Sequence, residues 1–152
     1  MEKSINTKNG VLAALAAIGG FVSHALGGWD AALQVLIGFM AADYITGLMI
    51  AAFWKRSNKS VSGALDSKAS FQGLCKKGIV LALVWLGVML DNATGFNYIR
   101  AAIILFFIGN EGLSLLENIA LMGVPFPGFL KRMLEVMRDN GDNGKIGGKD
   151  EP

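Results

Sequence analysis

One cysteine and one histidine are all that the chain offers to disulfide or soft-metal chemistry. Cys75 has no second thiol with which to close an internal bridge, and neither it nor His24 belongs to a set with metal-ligand spacing. The sequence contains no glycine-rich phosphate loop and no nucleophile–base motif. No catalytic residue, cofactor site or metal site is therefore expected, and the chain is not read as an enzyme. Charge is scarce as well: Asp, Glu, Lys and Arg make up 17% of the 152 residues, against about a quarter in soluble domains. What abounds instead is apolar, at 53% of residues, together with 20 glycines that suit closely approaching membrane helices.

The longest apolar run is 31–54, AALQVLIGFMAADYITGLMIAAFW. As a helix rising about 1.5 Å per residue it is long enough to cross a hydrocarbon layer of about 30 Å. Asp43 interrupts it near the middle, where an ionised carboxylate costs about 2.5–3.5 kcal/mol. Each apolar neighbour offsets roughly 0.3–0.6 kcal/mol of that cost. Three further stretches can cross: 10–28, with Asn9 as a candidate cap, 76–94 and 99–122. The stretch 76–94 has its apolar run only at 79–90, and reaches spanning length only if Lys76 and Lys77 snorkel at one end and Ala93-Thr94 join at the other. The first imitates a secretory signal, with Lys3 and Lys8 before it and Ser23-His24-Ala25 near its end. It is read as an uncleaved span, because the rest of the chain still holds a hydrophobic series that needs lipid.

The basic residues orient these spans. Of the 14 Lys and Arg residues, all but Arg100 fall on one side if all four stretches cross, which places both termini in the cytoplasm. The expected fold is an all-α integral membrane protein with four transmembrane helices plus a cytoplasmic amphipathic helix. That helix covers about 128–138, after Pro125 and Pro127 stop span four. Its apolar and charged faces suit an anionic membrane surface. Lys55, Arg56, Lys76, Lys77, Lys131 and Arg132 are expected to contact lipid there. Residues 65–71 suggest a second, short surface helix. Residues 1–138 form one membrane domain, and 139–152 are too polar to bury a core and are expected to be disordered.

Polar groups inside the spans are the candidate functional residues. Asp43 and Glu111 both lie twelve residues from the outer ends of their spans, at Ala31 and Ile99. Two carboxyl groups at one level in low dielectric should not both ionise unless water reaches them. Thr46 stands beside Asp43, and Asn110, Glu111, Ser114, Glu117 and Asn118 make a polar stripe along span four. Such a stripe either forms a hydrogen-bonded seam between helices or lines an aqueous opening when copies assemble. Gly38/Ala42 and Gly47/Ala51 are small pairs four apart, the spacing that lets helix backbones approach. Trp29, Trp54, Phe96 and Tyr98 near span ends suit the membrane interface. The cations follow the inner membrane side rather than an aromatic-interleaved stripe, which weighs against nucleic acid as a partner.

Three motifs occur in order between Ala31 and Met137: Asp43-Tyr44-Ile45-Thr46-Gly47, then Ser67-Lys68…Gly73-Leu74…Lys76-Lys77, then Asn110-Glu111…Ser114…Glu117-Asn118…Gly123-Val124-Pro125…Pro127. In these the chain resembles the toxin-secretion/phage-lysis holin family. The resemblance implies a multi-pass protein of the bacterial (host) cytoplasmic membrane that needs no cofactor. It would form homo-oligomers in the bilayer and permeabilise it, releasing an endolysin or toxin without required direct contact. Two other readings remain open: a narrow ion or proton channel or small transporter, and a non-permeabilising assembly protein or antiholin.

Overall fold

A computed structural model of the protein describes residues 2–54 and 67–144. The described residues form five helices: α1 (Glu2–Ala25), α2 (Ala31–Met49, continued by a π-helical turn over Ile50–Trp54), α3 (Ser67–Thr94), α4 (Ile99–Leu121) and α5 (Gly128–Asp142). Three of them are long and apolar enough to cross a membrane: Ala31–Phe53, Ser67–Thr94 and Ile99–Leu121.

Local chemistry places the breaks. Gly27 and Gly28 take positive φ values of 83° and 104°, which L side chains rarely adopt, and so turn α1 into α2. Asp30 then caps α2, its Oδ1 accepting from the Leu33 amide at 2.8 Å. The start of α4 is capped from outside its own sequence. Asp91, near the end of α3, accepts from the amides of Ile99 and Arg100 at 3.0 Å each, satisfying donors that no helical carbonyl can reach.

The core lies among α2, α3 and α4, where Leu33, Leu36, Met40, Val80, Val84 and Ile104 are buried together. Close approach is achieved at Gly87, Gly109 and Gly141. A Cβ at Gly87 would come within 2.9 Å of the Arg100 Cα, and one at Gly109 within 2.6 Å of the Arg138 Cβ and the Leu134 carbonyl. Gly141 presses equally close to the backbone of Phe106 and Ala102. Gly38, by contrast, has open space around it, while Ala42 and Gly47 are half-buried and Ala51 is buried.

Several expected boundaries change. The first apolar segment lies in a helix that begins at Glu2, so Asn9 is internal and caps nothing. Its apolar residues Val11, Leu12, Leu15, Ile18 and Phe21 are exposed. Ser67–Phe71 do not form a separate surface helix; they are the first turns of α3, and residues 65 and 66 lie outside the described residues. The amphipathic helix expected at 128–138 runs on to Asp142, taking in residues assigned to a disordered tail; 145–152 lie outside the described residues. Nor does this helix lie apart from the spans. α5 folds back antiparallel along α4: Leu134 meets Gly112, Arg138 meets Gly109, and Gly141 meets Phe106 and Ala102. Gly144 ends beside the Tyr98 ring, at the opposite end of α4 from Leu121. The small residues of α4 allow this docking, which a periodicity argument on α5 alone does not reveal.

Candidate functional site

The polar groups of α2, α3 and α4 converge on Asp43. Its Oδ1 accepts from Ser114 Oγ at 2.7 Å and from Asn118 Nδ2 at 2.9 Å. Its Oδ2 lies 3.0 Å from Lys77 Nζ. The same ammonium binds Glu111 Oε2, so one lysine of α3 bridges a carboxylate of α2 and a carboxylate of α4. Thr46 completes the cluster, donating its hydroxyl to the Ala42 carbonyl at 2.8 Å and accepting from Asn118 Nδ2 at 3.0 Å. Burial is deep: Asp43 is 4% exposed, Asn118 7%, Glu111 9%, and the Lys77 side chain 12%.

Asp43 and Glu111, expected at one depth with their facing left open, stand on either side of one cation. Lys77 was expected at the inner surface against lipid, and that expectation is corrected. Because α3 begins at Ser67, Lys77 stands about three turns inside a helix rather than at its end. The hydropathy of 79–90 marks only the apolar part of α3 and hides the polar turns before it. Lys76, Lys131 and Arg132 are exposed, and Lys55 and Arg56 lie outside the described residues.

The polar stripe of α4 divides in two. Glu111, Ser114 and Asn118 turn inward to α2 and α3, while Asn110 and Glu117 stay exposed on a different line of the helix. With about 3.6 residues per turn, Asn110 and Glu117, seven apart, stand one above the other. Cys75 is exposed.

A second polar site escaped the sequence reading. Arg100 donates from Nε to the Leu26 carbonyl at 2.6 Å, from Nη1 to Asp30 Oδ2 at 2.6 Å and from Nη2 to the Gly28 carbonyl at 3.4 Å. It thus clasps the α1–α2 corner to the start of α4. The Arg100 hydrogen bond holds the Asp30 carboxyl below its ordinary value, against the opposing effect of partial burial; the Leu33 amide adds to the lowering. The signal in the sequence was that Arg100 is the one cation between Lys77 and Lys131.

Comparison with known sequences follows the same residues. A sequence model described as the bacteriophage holin family matches residues 20–139. An uncharacterised 14.9 kDa protein of Clostridium perfringens is 34% identical over 142 residues, covering 91% of this chain and 98% of the relative. An uncharacterised Listeria monocytogenes protein is 35% identical over 117 residues, covering 76% of this chain and 78% of the relative. A protein of Bacillus phage phi105 named "Probable holin" is 30% identical over 111 residues, covering 72% of this chain and 76% of that protein. No solved structure matches the chain. Helices apolar enough to span a membrane and a family match over most of the length lead to one assignment: the chain belongs to the bacteriophage holin family.

Proposed function

We propose that the protein self-associates in the bacterial cytoplasmic membrane and permeabilises it, releasing an endolysin or a toxin as the host lyses. The observation that carries this reading is the exposed pair Asn110 and Glu117 on α4, a helix long and apolar enough to span. Asn110 stands at the middle of α4 and Glu117 about one turn from its end, and lipid solvates neither a side-chain amide nor a carboxylate well. Turned toward other copies or toward water, the same groups become tolerable. Family membership supports the lytic role, and the phage relative's printed name is in keeping with it.

The basic segment after α2 faces the cytoplasm in this reading, and α1 crosses as a fourth span that carries Lys3 and Lys8 inside. The endolysin follows through the opening without binding the protein. The internal cluster around Asp43 joins helices within one copy and leaves the outer line of α4 for assembly.

The test is induced expression in a bacterium with simultaneous recording of membrane potential and leakage of a folded cytoplasmic enzyme. Loss of both is expected. Depolarisation without enzyme leakage would indicate a narrow channel instead, and oligomers in an intact, polarised membrane would indicate an antagonist of lysis.

A further inference from the structure

The structure assigns the contact between copies to one surface: the side of the α4–α5 pair on which Asn110 and Glu117 line up with the charged stripe of α5. This rests on the proposed self-assembly and names the face that carries it. On α5, Lys131, Glu135, Arg138 and Asp142 follow one another at helical spacing, while Leu134 and Gly141 are buried against α4. Because α5 runs antiparallel to α4, a quarter turn from the contact line reaches the charged stripe on α5 and the Asn110–Glu117 line on α4 on the same side of the pair. Arg132 and Asp139 are exposed beside this stripe and widen the charged face, while Phe129, Met133 and Val136, on the far side of α5, are apolar and suit lipid.

The depth of α5 makes its charged face decisive. Its contacts run along α4 from Gly112 back to Ala102, with Gly144 beside Tyr98, so Arg138 stands level with Gly109 near the middle of a spanning helix. Cations and carboxylates at that level are among the groups lipid tolerates least. The face carries both signs, Lys131 and Arg138 with Glu117, Glu135 and Asp142, so it is self-complementary: beside the pairs within one copy, Lys131 with Glu135 and Arg138 with Asp139, cations of one copy meet carboxylates of the next. The occupant is therefore another copy of this chain, across a hydrated seam. Along α4 these cations are lining residues, and Gly144 stands level with Tyr98, at the end of α4 opposite Leu121.

The test uses the full chain carrying Cys75→Ser, with Asn110→Cys, Glu117→Cys or Glu135→Cys added singly. Ile45→Cys and Leu86→Cys, at exposed apolar positions of α2 and α3, serve as controls. In native membranes the first three should give disulfide-linked dimers and react with a membrane-impermeant thiol reagent, and the controls should do neither. Should Glu135→Cys fail to accumulate, Lys131→Cys on the same stripe replaces it. Dimers forming equally at the controls, or at the controls alone, would overturn the inference. Enzyme leakage is recorded on the Cys75→Ser parent in parallel. Leakage without cross-links at the three sites sinks this surface and leaves the lytic reading standing. Cross-links without leakage sink the lytic reading and leave the surface.

Discussion

Lys77 allows two carboxylates to share one level of the bundle. Breaking a buried pair leaves an uncompensated charge at a cost of about 3–5 kcal/mol, more than the pair itself contributes. Lys77→Met should therefore lower thermal stability in detergent sharply. Adding Asp43→Asn and Glu111→Gln to that variant should recover much of the loss, because no orphaned charge remains. A single variant as stable as the parent would show that the bridge is dispensable. At the other end, the Asp30 carboxyl is held down by Arg100. Its contribution is complete above the unfolded value near 3.8 and is lost as pH falls through the lower folded value. Melting curves on either side of that window should converge for the parent and Asp30→Asn at the acid end and separate at neutral pH.

Helix α5 illustrates how an element's surroundings override its own pattern. A strongly amphipathic segment behind two prolines suggests a helix lying on a membrane surface, and α5 has that pattern. Gly109 and Gly112 on α4, and Gly141 on α5, remove the side chains that would hold the two helices apart. Overpacking of a tight contact costs typically about 1–3 kcal/mol. Gly109→Leu and Gly141→Leu should each release α5, read as faster proteolysis within 128–142, while α2, α3 and α4 keep their protection. The change Gly38→Leu, where space is open, should leave the cleavage pattern unaltered.

For the whole molecule, two classes of polar residue on the same helix have opposite consequences. Glu111 is bound within one copy, whereas Glu117 is exposed. Glu111→Leu should lower the melting temperature by orphaning part of the lysine bridge. Glu117→Leu should leave stability within about 0.5 kcal/mol, as surface substitutions do, yet reduce enzyme leakage on expression. Equal losses of stability in both variants would refute the division.

Apolar run lengths, the glycine corner at 27–28 and the proline stop after 124 are local properties, so the sequence by itself determined the helical order and the membrane class. The family was legible too, from the three motifs between Ala31 and Met137, and its sequence model matches residues 20–139. Facing is another matter. Depth counted along two spans brought Asp43 and Glu111 to one level, but the bridging lysine depended on where α3 begins, which hydropathy does not mark. Which half of the α4 stripe turns inward, which glycines touch, and where α5 lies were decided only by the tertiary structure. Each depends on the rotation of one helix against another, set by packing between residues far apart in the chain.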